Sequence, residues 1–191
     1  VRAADAAGTE VVLVGGGSNL LVADAGHRGV AVEVATRGIG SDLTAGPVQV
    51  WAAAGEPWTG LVDLAVRRGW SGIEAMAGIP GRVGATPVQN VGAYGQDVGA
   101  VLAGVRAYDR CSGVVVDLGP DECGFGYRTS RFKVEPHRWV VLGIGLRLQP
   151  GGRGVVRYAQ LADALGVAVG DEADVAEIRR AVLALRAGKA M

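Results

Sequence analysis

Gly78-Ile79-Pro80-Gly81-Arg82-Val83-Gly84-Ala85-Thr86-Pro87-Val88-Gln89-Asn90-Val91-Gly92-Ala93-Tyr94-Gly95 is dense in glycines and small residues, and only Arg82 in it is charged. Irregular stretches of this length inside a compact domain are uncommon and usually functional. Any buried part of this backbone must find partners for its N–H and C=O groups. A flat, polar heteroaromatic ligand can supply them, and one edge of an isoalloxazine ring carries suitable acceptors and a donor. Thr86, Gln89 and Asn90 add side-chain hydrogen-bonding groups. The alternative is a compact loop whose glycines only make turns.

A second glycine run lies upstream. Val11-Val12-Leu13-Val14 leads into Gly15-Gly16-Gly17-Ser18-Asn19. Glycines let the backbone turn sharply and approach a ligand, and Ser18 and Asn19 add short polar side chains beside free N–H groups. Strand, glycine loop and small polar residues together make the chemistry of a phosphate cradle. There is no Gly-Lys-Ser/Thr and no GxGxxG, and the loop runs into Leu20-Leu21-Val22-Ala23, which reads as strand rather than helix. The phosphate reading therefore requires a loop lying between strands. A plain glycine turn in a β-rich domain remains the alternative.

Composition narrows the classes. The chain has 191 residues, enough to bury a core in one domain or two small ones. Lys+Arg 19 balance Asp+Glu 19, which argues against a general nucleic-acid binder. No apolar run is long enough to span a bilayer, and no basic-then-apolar pattern suggests a signal peptide. Cys111 and Cys123 have no metal-ligand spacing, so no metal is expected. They read as reduced packing residues of a cytoplasmic protein. The chain starts at Val1 and stops at Met191 just past a strong helical pattern, so a piece of a longer protein is expected.

The coarse pattern is mixed. Val30–Val34, Val48–Ala54, Val101–Asp117 and Trp139–Leu148 read as strands or strand pairs. Pro57 suits a first helical turn, Trp58, Leu61, Leu64 and Ala65 share a face, and Gly69 supplies the stop. Asp174 and Glu177 form a capping-box pattern ahead of Val175, Ile178, Val182 and Leu185. Trp51, Trp58, Trp70 and Trp139 are expected in the core, and His27 and His137 have no assigned role. The class is α+β.

Three segments, taken in order, resemble one family. They are Gly15-Gly16-Gly17-Ser18-Asn19-Leu20, then Ile79-Pro80-Gly81 through Gln89-Asn90-Val91-Gly92-Ala93-Tyr94-Gly95, then Tyr127-Arg128-Thr129-Ser130-Arg131-Phe132-Lys133. Together they resemble the UDP-N-acetylenolpyruvoylglucosamine reductases, the MurB flavoenzymes of peptidoglycan synthesis. The resemblance implies an FAD-binding module of the vanillyl-alcohol-oxidase type, built from two subdomains. Residues 1–37 would be the first, incomplete at its start, and residues 38–191 the second. The family's third, substrate-binding domain, with its proton-donating serine and a late glutamate, would lie outside this chain.

The resemblance also implies chemistry. NADPH would reduce FAD, and the reduced flavin would reduce the enolpyruvyl double bond of a UDP-sugar. Arg128 matches the family's active-site arginine, where a guanidinium stabilises developing enolate charge. Tyr127 would lie near flavin and substrate, and Lys189 matches a substrate-contacting lysine, or caps a helix end. Lys133 would bind substrate or hold the motif. For FAD, Gly15, Gly16, Gly17, Ser18, Asn19 and Leu20 would take the pyrophosphate. Ile79, Gly81, Gly84, Ala85, Thr86, Gly92 and Tyr94 fall on the flavin-contacting stretch, and Val141 packs on the cofactor. The segment Leu148–Tyr158 is short, so Tyr158 inherits no substrate role. The expected state is a cytoplasmic monomer that binds neither nucleic acid nor membrane. The alternatives are another flavin oxidoreductase of this fold and a non-catalytic flavin- or nucleotide-binding module.

Overall fold

The chain opens with the short helix α1 (Arg2–Ala6), followed by strands β1 (Val11–Val14) and β2 (Val30–Glu33). These come from a computed structural model that describes residues 1–44 and 46–188. β1 and β2 pair in parallel, Val11 beside Val30 and Val14 beside Glu33. Parallel neighbours need a long connection, usually helical. Here residues 15–29 make it without a helix, so the glycine run does lie between strands.

The large antiparallel sheet follows. Strands β3 (Ile39–Asp42) and β4 (Val48–Ala53) lead to helix α2 (Trp58–Arg67) and the two-residue β5 (Trp70–Ser71). After the irregular stretch and a small hairpin, β6 (Gly92–Ala93) and β7 (Gln96–Asp97), come β8 (Leu102–Asp109), β9 (Val114–Leu118), helix α3 (Arg131–Val134) and β10 (Trp139–Pro150). The spatial order is β3-β4-β10-β8-β9, with β5 on the far end of β10. β10 is the hub, paired with β4, β8 and β5, and is two residues longer than its sequence pattern suggests. The chain closes with β11 (Arg153–Val155), α4 (Ala159–Leu165), β12 (Glu172–Asp174) and α5 (Val175–Ala187).

One face of this sheet is core. Val48, Val50 and Ala52 alternate inward on β4, as Ile144, Leu146 and Leu148 do on β10. Period-two alternation of this kind is what a sheet buried on one side requires. Helix α2 lays Trp58, Leu61, Val62 and Ala65 into the core, and its Trp58 Nε1 donates to the Met76 carbonyl at 3.2 Å. Val62 thus replaces the expected Leu64, which is half-buried. Gly69 adopts φ 65° immediately after the helix, the left-handed stop that glycine permits.

Three expectations are corrected. Leu20–Ala23 is not a strand: among the described residues no strand pairs with it, and Leu21 is 98 % exposed. Trp51 is not core. It lies on the open face of the sheet against Gly143, with the Arg106 guanidinium 5.7 Å from its ring centroid. Cys111 is exposed, whereas Cys123 is buried and burial pushes its thiol up to about 11. Among the described residues no helix is long and apolar enough to cross a membrane.

Candidate functional site

The two glycine segments meet. β1 delivers Gly15 and Gly16 to the Gly81–Arg82 backbone so closely that a Cβ on Gly16 would stand 3.2 Å from the Gly81 Cα. Gly81 sits at φ 116°, and a Cβ there would be 3.1 Å from the Ser18 Oγ. Side chains at either place would push the two loops apart, so the glycines permit their close approach.

The irregular stretch is held from below by the protein itself. Trp58 N donates to Gly81 O at 3.0 Å, Val83 N to Glu56 O at 2.8 Å and Gly84 N to Ala54 O at 2.8 Å. The Thr86 hydroxyl donates to the Val83 carbonyl at 2.7 Å. Asn90 accepts from Gly99 N at 2.9 Å and donates to Gly126 O at 3.3 Å. Asn90 therefore spends its amide on joining two loops and Thr86 its hydroxyl on Val83, so these two side chains, expected as ligand contacts, bond to the protein. Gln89 stays at a cavity wall.

Two adjoining cavities open between these loops and the sheet. The larger, ≈ 460 Å³, is lined by Gly15, Gly16, Gly17, Ser18, Asn19 and Leu20 on one side and by Ile79, Gly81, Arg82, Ala85 and Thr86 on the other. The smaller, ≈ 280 Å³, holds Gly84 and Val141 with Leu13, Val34, Phe132 and Trp139. Leu13, Gly15, Arg82, Ala85, Val88 and Lys133 border both. Volumes of this order suit a cofactor.

The remaining expected site residues lie elsewhere. Gly92 is in the small β6–β7 hairpin and borders neither cavity. Tyr94, at φ 48°, packs edge-on against Tyr158 with ring centroids 5.6 Å apart. Tyr127 and Arg128 occupy the tip of a tight turn closed by Gly126 N to Thr129 O at 3.1 Å and its reciprocal bond at 3.3 Å. Both are exposed and line neither cavity. The turn is tied to the glycine stretch by Asn90 and by the Ser130 hydroxyl, which donates to Val88 O at 2.7 Å. Lys133 Nζ donates to the Arg128 carbonyl at 2.9 Å, so it both holds the motif and borders the cavities. Lys189 falls outside the described residues.

Sequence reading overlooked Arg82, Val88, Phe132 and the cavity side of Trp139. Arg82 carried a signal, as the one charge in an otherwise uncharged stretch. The apolar residues carried none that separated them from core.

A family described as FAD binding domain matches residues 1–119, more than half of the chain. The chain belongs to the FAD-binding domain family. It is 50% identical to a UDP-N-acetylenolpyruvoylglucosamine reductase of Streptomyces coelicolor, over 100% of this chain and 49% of that protein. A reductase of the same name from Cutibacterium acnes is 47% identical over 100% of this chain and 51% of that protein. The chain thus spans about half the length of the curated relatives it matches. Among solved structures, the reductase MurB of Thermus caldophilus matches with TM-score 0.62 and 28% identity, covering 96% of this chain and 57% of that one. A solvent-stable cholesterol oxidase matches with TM-score 0.58 at 17% identity, which speaks for the fold alone, and covers 87% of this chain and 36% of that one. The α+β FAD-binding module expected from the sequence is the observed fold.

The residues present fit a flavin dinucleotide. Gly16 and Gly81 let the two loops meet beside the cavity, Arg82 Nε is buried with no hydrogen-bond partner among the described residues, and a largely apolar cavity adjoins the glycine-lined one. Buried donors left unpaired cost about 1–3 kcal/mol, so the protein alone leaves Arg82 incompletely satisfied.

Proposed function

We propose that this chain is the FAD-holding part of an NADPH-dependent reductase that converts UDP-N-acetylglucosamine enolpyruvate to UDP-N-acetylmuramate in peptidoglycan synthesis. The observation that carries the reading is the apposition of Gly15–Ser18 and Gly81–Arg82 across one cavity, in a chain alike over its whole length to proteins bearing that reductase name. Residues 1–37 and 38–191 are read as the two FAD-binding subdomains. The setting is the cytoplasm, the protein is read as a monomer, and the partner is the UDP-sugar.

In this reading backbone N–H groups from Gly15 to Leu20 hold the dinucleotide's phosphates, as glycine-loop amides hold anions elsewhere. Ile79, Gly81, Gly84, Ala85 and Thr86 flank the ring, with Gly92 and Tyr94 shaping the same stretch and Val141 packing from the sheet. When bound, FAD supplies hydride-transfer chemistry. Reducing a double bond conjugated with a carboxylate builds up enolate charge on the substrate. Arg128 is the residue assigned to meet it, with Tyr127 beside it and Lys189 as a further substrate contact. No proton donor is proposed among these residues. Arg128 is exposed, and water screens an exposed cation. The chain by itself, spanning about half the length of the relatives it matches, is expected to hold flavin weakly or not at all and not to turn over.

The test is made on the full-length gene product that contains this chain. Desalting after mixing with FAD should leave co-eluting flavin absorbance, and NADPH oxidation beyond one equivalent per flavin should require the enolpyruvyl substrate. Arg128→Gly keeps the left-handed turn and removes the guanidinium; its kcat should fall by about 10²–10³ while bound flavin is unchanged. A colourless, folded protein would overturn the FAD reading. Flavin retention with no response to the enolpyruvyl substrate would leave another oxidoreductase of this fold.

A further inference from the structure

Arg82 is unusually placed for a charge. Its stem lies against the first glycine run: a Cβ on Gly15 would stand 3.5 Å from the Arg82 Cγ, and one on Gly16 3.9 Å. Its side chain is 22% exposed. Nε is buried and has no hydrogen-bond partner among the described residues. Nη2 faces Glu33 Oε1, at the end of β2, at 3.6 Å. That is an ion pair beyond hydrogen-bond distance, with a carboxylate 63% exposed to water.

The charge balance of the cavity points the same way. Its described lining contains two cations, Arg82 and Lys133, and no Asp or Glu. Lys133 already donates to the Arg128 carbonyl. Arg82 therefore holds the less committed donors, on the wall that faces the Gly15–Ser18 loop. A guanidinium presents a planar fork that suits phosphate oxygens, and glycine-loop amides opposite it would complete the shell.

We propose that Arg82 is the cationic contact for the diphosphate of the bound dinucleotide, oriented by Glu33. The inference rests on the FAD reading above and adds to it a charged residue that the glycine loop alone does not provide. Arg82 stands in the stretch that, on the family resemblance, contacts the ring, so the proposal reassigns one position of that stretch to the phosphates.

Binding of FAD and of riboflavin, which has the ring and no phosphate, is measured by flavin fluorescence on the full-length gene product. Three variants are compared with the wild type: Arg82→Met, which keeps the stem against Gly15, Arg82→Lys and Glu33→Gln. Thermal midpoints check that each is folded. Arg82→Met should weaken FAD about tenfold to a hundredfold, the loss expected for a charged hydrogen bond, and leave riboflavin unchanged. Arg82→Lys should recover part of the loss, Glu33→Gln should show a smaller one, and the salt dependence of FAD binding should flatten in Arg82→Met. Unchanged FAD affinity in a folded Arg82→Met overturns the proposal while the FAD reading stands. Equal losses for FAD and riboflavin also overturn it, assigning Arg82 to the ring. A folded wild type that binds neither flavin overturns both readings.

Discussion

Asn90, Tyr94 and Arg128 carry φ values of 45°, 48° and 55°, in the left-handed region that side chains rarely adopt. Each such residue stores strain of about 1–3 kcal/mol, and such residues gather where surrounding structure over-determines them. All three belong to the two motif segments picked out from the sequence. Asn90 and the Arg128 turn are joined, since Asn90 Nδ2 reaches Gly126 O and Lys133 Nζ reaches Arg128 O. Close approach matters as much as dihedral angle. A Cβ on Gly84 would stand 2.5 Å from the Ala54 Cβ, at the point where Gly84 N donates to Ala54 O. Gly84→Ala is therefore expected to lose about 1–3 kcal/mol through overpacking, read as a lower urea midpoint. An unchanged midpoint would show that the backbone yields there. Gly84 was singled out in the sequence as a ligand contact, but the need for glycine also comes from its neighbour Ala54, which no local pattern announces.

At the scale of elements, α5 shows how far local rules reach. Asp174 Oδ1 accepts from Ala176 N at 2.8 Å and Glu177 N at 3.2 Å, so the Asp174 half of the capping box read in the sequence is the cap in the fold, while Glu177 Oε1 faces Arg180 Nη2 at 3.5 Å. Val175, Ile178 and Val182 are buried, as their spacing requires, and Arg179 Nη2 pairs with Asp63 Oδ1 of α2 at 2.7 Å. Asp174→Ala should cost about 1 kcal/mol, and Asp174→Asn, which keeps an acceptor, should cost less; thermal melts compare the two. Equal losses would mean that strand β12, which Asp174 ends, matters more than the cap. Leu20–Ala23 shows where such rules stop. It is apolar enough for a strand, but a strand exists only with a partner, and the span from β1 to its parallel neighbour β2 leaves it none. Trp51 makes the same point from the other side. Its strand was legible, whereas the face it occupies depended on the register of β4 against β10.

Across the whole molecule, partly buried ion pairs tie distant segments together. Asp109 at the end of β8 accepts from Arg138 Nε at 3.0 Å and Nη2 at 2.9 Å, and from Cys111 N at 3.0 Å. Arg138 in turn stacks over Trp139, 4.5 Å from its ring centroid. The Arg138 guanidinium holds the Asp109 carboxyl far below its ordinary range, and Arg110 lowers that of Asp5 on α1. A folded-state pKa below the unfolded value contributes stability that is fully present above the unfolded pKa. It is lost as pH falls through the folded one. The urea midpoint should therefore hold near neutrality and drop progressively once pH passes below about 4, where unfolded aspartates take up protons. Arg138→Met should lower the midpoint at pH 7 and flatten the acid decline. A variant as acid-sensitive as the wild type would remove Asp109 from that account.

The amino-acid sequence by itself determined what short range controls. This covers the two glycine segments and their order, the α5 cap, the α2 stop at Gly69, the strands around β4 and β10, and the α+β class. Each depends on residues a few positions apart, whose backbone preferences and periodicity act before the chain is folded. Only the tertiary structure decided that Gly16 meets Gly81, that β1 and β2 run parallel, that Trp51 faces water, and that the Arg82 stem lies against the glycine loop. Those features arise between segments far apart in the chain. They are set by which surfaces are buried together and which polar groups are left to pair, and that balance exists only once the whole core has closed.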